Sequence, residues 1–344
     1  MADTIPKLIT GCYVCDTKSP LSLCTGCKSI KYCGVDHQKL DRPAHKSTCK
    51  LIAKKTAALV QERHETALFN AHGGGLASML GSGSLVDPLL QLAQAQMRID
   101  SQVAVQSGLE LLLEMVDITK DAKSGPPNLA PVCFLRLGRD QEAYDFMKWW
   151  VASPDPIRPF GPSAQLYQDS KNAKADVFED MDFFKEKFPS PSFMAAFTLL
   201  KLRLLMDLQT LQRSRSRSRS TKVGDKNARG DISDDDDIRS QLTSSAVLNN
   251  KTVLQRSDHE KEIADLTRQV EAMYALVQER SANFWPAVLQ PGGHLNANAN
   301  PEAWGFSSTK EMQSVLDAHH KTWIETSGAI KAIEALRSGR GALE

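Results

Sequence analysis

Apolar positions recur at intervals of three and four residues over most of this chain, and strand-like alternation is scarce, so the pattern predicts a mainly α protein. A first helix is expected to begin near His45 and to carry Leu51, Ile52, Ala57, Leu59 and Val60 toward Leu68. A Gly-rich break follows at Gly73 to Gly83. Asp87-Pro88 then supplies an N-cap and a first-turn proline. The apolar run from Leu89 to Val116 reads as one long helix or two joined ones, its Leu and Met stripe belonging to the core.

Leu135 to Tyr144 resembles the turn between the two helices of a tetratricopeptide-like repeat, with Gly138 in the tight turn and Ala143 at the close contact. Such arrays need about three repeats, and no period near 34 residues is visible. The next segment, with Phe146, Met147, Trp149 and Trp150, is the most aromatic and is expected at the centre of a core. A proline-rich loop from Pro154 to Pro162 ends it. Phe193 to Leu211 is apolar on more than one face and is therefore expected to be buried.

Composition then changes. Arg213 to Ser220 is a strict Arg-Ser alternation and Asp231 to Asp237 an acidic run, with almost no apolar residue between them, which predicts a disordered linker over 213–250. Asp258 to Arg280 returns to an amphipathic helical stripe of Ile263, Leu266, Val270, Met273, Leu276 and Val277. Trp285 to Trp304 reads as a Pro/Gly/Asn-rich loop. Thr309 to Leu336 reads as a last helix, capped at Ser308 and Glu311. Its adjacent His319 and His320 point about 100° apart, so they are read as surface or packing residues. The organisation expected is a small domain at 12–49, a helical domain in two parts at 50–212 and 251–340, and the linker between them.

The 344 residues carry a formal net charge of only +1 and no apolar run of transmembrane length, as expected of a soluble chain. Candidate chemistry is concentrated in the first fifty residues. Cys12, Cys15, Cys24, Cys27, Cys33, His37, His45 and Cys49 have metal-ligand spacing. Two Cys separated by two residues can place both sulfurs about 2.3 Å from one zinc ion, and a pair at i, i+4 shares one face of a helical turn. Each Cys-x2-Cys knuckle needs two further ligands. Sequential pairing would join the two knuckles; a cross-brace would join the first knuckle to Cys33 and His37 and the second to His45 and Cys49. Spacing leaves both open. A disulfide framework would require a secreted chain, and residues 1 to 20 show no apolar signal region. No ligand position is left for water, so the sites are expected to be structural, and about forty residues with few large apolar side chains need metal to fold. Cys133, beside Phe134 and Leu135, is expected to be a buried free thiol.

The order Cys-x2-Cys-x8-Cys-x2-Cys-x5-Cys-x3-His-x7-His-x3-Cys, with Tyr32-Cys33 and His45-Lys46 in place, resembles the MYND zinc finger of the fungal type. The resemblance implies the cross-brace, two structural zinc ions, and binding of short proline-rich peptides of protein partners in an extended conformation. Gln38 sits where the family's groove carries Gln. Arg42 stands where the family has Trp, which removes an aromatic platform.

Seven basic residues against three acidic ones between positions 10 and 50 leave little excess charge once thiolates and metal are counted, too little to point to nucleic acid by phosphate neutralisation. For catalysis, His72-Gly73-Gly74-Gly75 has no Gly-x-Ser-x-Gly elbow to serve, and there is no P-loop or dinucleotide fingerprint. Some proteins with this finger are SET-type lysine methyltransferases, but the Asn-His-Ser-Cys-like stretch and further cysteine cluster of those enzymes are missing. The expectation is a non-enzymatic, zinc-binding interaction protein, adaptor or regulatory, without a small-molecule substrate or membrane contact. The alternatives are a SET-type relative, or a finger that serves only as a structural cap. Zinc thiolates imply a reducing compartment, nucleus or cytoplasm.

Overall fold

A computed structural model describes residues 8–72, 85–118, 126–152, 174–185, 190–222, 233–295 and 308–339. The Gly-rich break after His72 and the loop from Pro154 to Pro162 lie outside them. The protein is mainly α, with a small N-terminal finger followed by helices. Internal contacts divide the described residues into two units, with a boundary at Leu137/Gly138.

The first unit contains the finger. Strands β1 (Ser22–Leu23) and β2 (Lys31–Tyr32) pair antiparallel, Ser22 opposite Tyr32. Helix α1 spans Val35–His72 and so begins a full ten residues before the start expected at His45. Asp36 in the first turn suits the positive helix end. Pro43 sits inside the helix; it and Lys39, whose carbonyl loses its partner, are both exposed, so water can serve that carbonyl. Helices α2 (Val86–Met97), α3 (Gln102–Ile118) and α4 (Pro126–Arg136) complete the unit. The run from Leu89 to Val116 is thus two helices. The Ser101 hydroxyl accepts the Ala104 amide at 3.1 Å and caps α3, while the buried Arg136 guanidinium donates to the Met97 carbonyl at 3.0 Å and the Asp100 carboxylate at 2.8 Å. Burial pushes the Cys133 thiol up to about 12, and it is a free packing group, as expected.

The second unit runs from Gly138, whose φ of +68° makes the turn after α4. It comprises α5 (Asp140–Ala152), α6 (Asp182–Lys185), α7 (Pro191–Lys222), α8 (Ser233–Gln241), α9 (Ser245–Leu248), α10 (Lys251–Gln255), α11 (Glu260–Arg280), α12 (Phe284–Leu289), α13 (Thr309–Ile324) and α14 (Ala329–Arg337). Its centre is α7, which packs chiefly against α11 and buries Phe193, Phe197, Leu200, Leu204 and Leu208. Of the aromatic segment expected there, Tyr144, Phe146 and Met147 are buried, but Trp149 and Trp150 are only half-buried.

Three further expectations are corrected. The linker placed at 213–250 is narrowed at its flanks, its residues 223–232 lying outside the described ones: α7 continues through the Arg-Ser alternation to Lys222, and Ser233–Gln241 and Ser245–Leu248 are helices, with Leu242, Ser244 and Val247 buried. A helix already nucleated and packed propagates through Arg and Ser at little cost, which composition alone does not register. The loop expected from Trp285 begins as α12, with Trp285 fully buried and its indole N–H donating to the Tyr274 carbonyl at 3.0 Å. The helix expected over Thr309 to Leu336 is broken at Gly328, whose φ of +80° few other residues accept. Ser308 does cap α13 through the Glu311 amide at 3.1 Å. His319 is a packing residue: its Nε2 lies 2.7 Å from the Ser192 hydroxyl, and burial pushes it down to about 3.

Candidate metal centre

All eight sequence-predicted residues converge, in two groups. Cys12, Cys15, Cys33 and His37 form one; Cys24, Cys27, His45 and Cys49 form the other. Within each, the ligand atoms lie within 4.8 Å of one another. The cross-brace, not sequential pairing, is therefore the arrangement of the finger.

Local chemistry builds each knuckle. The Cys12 amide donates to the Thr17 carbonyl at 2.8 Å and the Asp16 amide to the Cys12 carbonyl at 2.7 Å, with Asp16 at φ +54°. The second knuckle repeats this turn: the Lys28 amide donates to the Cys24 carbonyl at 2.9 Å, with Lys28 at φ +58°. A Cβ at Gly26 would stand 2.8 Å from the Cys49 sulfur, so only glycine lets the chain pass there. His45 and Cys49 share a face of α1, as their spacing predicts. Cys33 lies just before α1 rather than on it, so only His37 of that pair is helical.

The geometry fits zinc. Bonds of about 2.3 Å at tetrahedral angles set sulfur–sulfur edges of about 3.8 Å. Cys15 and Cys33 are 3.8 Å apart and Cys24 and Cys49 3.7 Å, far beyond a disulfide bond. His37 presents Nδ1, 3.1 Å from the Cys33 sulfur and 3.4 Å from that of Cys12; His45 presents Nε2, 3.3 Å from the Cys27 sulfur. Burial opposes ionisation of Cys12, but the amides of Val14, Cys33 and Cys15 outweigh it and hold the thiol down to about 6. Burial pushes Cys27 up to about 12, with the Cys24 and Cys49 sulfurs acting in the same direction. Ionising the buried Cys24, Cys27 and Cys49 together therefore needs a cation to balance them.

The two groups differ in environment. All members of the Cys24 group are buried, whereas Cys15 is exposed and Cys33 and His37 are half-buried. Between the second knuckle and β2, the Ser29 hydroxyl meets the Gln96 side chain at 2.8 Å, and the Ser101 hydroxyl donates to the Ser29 carbonyl. The buried Tyr32 hydroxyl donates to Asp41 on α1 at 2.5 Å, and burial followed by that carboxylate raises the phenol well above its usual range. Ile9 bridges to Ser101, its amide donating to the Asp100 carbonyl at 3.0 Å. The finger is thereby bonded to the corner between α2 and α3. Nothing in the spacing of the cysteines pointed to Ser29 or Gln96.

Comparison with known proteins agrees with this geometry. Residues 12–49 match the model of the MYND finger, and this segment is a MYND finger with two Cys3His sites for zinc. Such fingers are protein-interaction modules. The chain is also 40% identical over 48 residues to the Rho GTPase-activating protein gacZ of Dictyostelium discoideum, a match covering 14% of this chain and 4% of that protein. With so small a share of the relative spanned, its activity does not transfer. The search of solved structures finds no match. Among the described residues, no helix is long and apolar enough to cross a membrane.

Proposed function

We propose that this chain is a non-enzymatic adaptor or regulatory protein whose finger captures an extended, proline-rich segment of a protein partner. Cys12, Cys15, Cys33 and His37 would hold one structural zinc ion, and Cys24, Cys27, His45 and Cys49 the other. The observation that carries the reading is the completeness of both quartets: with four protein ligands each, neither leaves the open position that zinc catalysis uses. Around them the finger keeps Leu23, Val35 and Leu40 at 41%, 63% and 68% exposure, apolar side chains that a peptide could cover. Arg42, also exposed, takes the place of the family's Trp, so affinity rests on these aliphatic contacts rather than on ring stacking. Thiolate ligands suit a reducing compartment, nucleus or cytoplasm.

The test is recovery of partners by the zinc-loaded chain and by a Cys24→Ser/Cys27→Ser variant. Loss of partners with the variant is the expected result. Identical partners from both would make the finger a structural cap. A methyl-donor titration addresses the SET-type alternative, and the expected outcome is no saturable binding.

A further inference from the structure

The first half of α1 carries Lys39, Arg42, Lys46, Lys50 and Lys54, spaced by three and then four residues, and all five are exposed. At about 100° per residue they fall within about 120° of arc and form one basic stripe, its members about 6 Å apart along the axis. The sequence offered this signal, yet a count of charges concealed it. Among the described residues, none of the five has an ion-pair partner. Elsewhere on the same helix cations are engaged: Lys55 bonds Gln91, and Arg63 pairs with Glu114. Of the two aspartates in the first half of α1, Asp41 accepts from Tyr32 and Asp36 is exposed. Like charges at i, i+4 destabilise a helix, and cations in its opening turns oppose the macrodipole. The fold bears that cost without internal compensation.

We propose that this stripe docks an acidic segment flanking the partner's proline-rich motif; the inference rests on the peptide-binding reading above and extends it. Two observations favour this occupant. Arg42 lies one turn from Gln38 on α1 and belongs to the stripe, so a peptide held at Gln38 is led along the lysines. In an extended chain alternate side chains share a face about 6.7 Å apart, which matches the roughly 6 Å repeat of the stripe. Exposed Pro43 lies within the same arc and offers an apolar contact between the charges.

The experiment is fluorescence anisotropy on the zinc-loaded full chain with two peptides that share a proline-rich core. One carries about four alternating Asp and Glu in its flank, the other Asn and Gln. Several exposed ion pairs together make the acidic peptide about tenfold tighter at low salt, an advantage erased at about 0.5 M salt and in Lys46→Glu/Lys50→Glu. Zinc content of that variant is measured alongside; the comparison of peptides on the unaltered chain decides the matter even if the variant fails to fold. Equal affinity for both peptides overturns the acidic-flank inference alone, and binding of neither overturns the peptide-binding reading with it. A single-stranded oligonucleotide of equal charge that competes more strongly than the acidic peptide would also overturn the inference, reassigning the stripe to nucleic acid.

Discussion

The Ser29 hydroxyl lies 2.8 Å from the side-chain amide of Gln96, a bond that ties the loop after the second zinc knuckle to helix α2. Both residues are buried, so neither has water as an alternative partner. Replacing Ser29 with Ala strands Gln96 and also removes the bond to the Cys27 carbonyl at 2.9 Å, at an expected cost of about 1–3 kcal/mol. Thermal unfolding of Ser29→Ala and of Ser29→Ala/Gln96→Leu checks this. The double variant, which leaves no buried amide unpaired, should recover part of the loss; a single variant as stable as the parent would show that the finger does not lean on α2.

The finger was legible from its sequence because metal chemistry admits few side chains and constrains their spacing, yet the pairing of the eight ligands was not, since both pairings satisfy the same intervals. Packing explains most of the remaining differences. Arg213 to Ser220 reads as disordered by composition but extends a helix already fixed by the buried face of α7. The start of α1 ten residues before His45 depends on Pro43 being exposed, so that solvent replaces the lost bond, which the spacing of apolar positions does not register. Trp285, at the head of a Pro/Gly/Asn-rich stretch, folds into a helix because Tyr274, stacked on it at 5.1 Å, comes from a distant turn of α11.

Unequal burial of the quartets predicts that the two zinc ions leave in sequence. A chelator reaches the Cys12 group through exposed Cys15, while the Cys24 group is covered on all four ligands. Stopped-flow chelation with a colorimetric zinc indicator should show two phases, one ion each, and Cys15→Ser should remove only the fast one. Because Ser29 joins the second site to α2, the slow phase should coincide with loss of helical circular dichroism beyond the finger. A single phase for both ions would contradict the asymmetry.

Gly26 makes a narrower prediction. A methyl group there meets the Cys49 sulfur at 2.8 Å, so Gly26→Ala must displace a ligand of the buried site. Expected is loss of one equivalent of zinc, or at least about a tenfold weaker hold on it, with the Cys12 site retained. Elemental analysis after dialysis against a weak chelator reads this directly, and full retention of both ions would refute it.

In the second unit, Asp207 predicts a pH dependence. Its carboxylate accepts the Thr243 amide at 2.9 Å and the Ser244 amide at 2.7 Å, and it is nearly inaccessible. Burial raises its pKa to about 7, outweighing those two amides; neighbouring Asp140 acts with burial and Arg203 against it. Arg203 is committed elsewhere, donating to Asp140 at 2.9 Å and to the Thr326 hydroxyl at 2.7 Å. A carboxyl whose folded pKa lies above its unfolded value of about 4 contributes stability that is fully present below that value and lost as pH rises toward about 7. Three units correspond to about 4 kcal/mol at most. Asp207→Asn stays neutral throughout and keeps one of the two amide bonds. Denaturant unfolding of the parent should therefore weaken between about pH 4 and pH 7 more steeply than that of the variant. His319, pushed down to about 3 by burial, acts with the opposite sign below about pH 6.5 in both proteins, so the difference between them isolates Asp207. Parallel pH profiles would mean that Asp207 stays ionised in the folded protein.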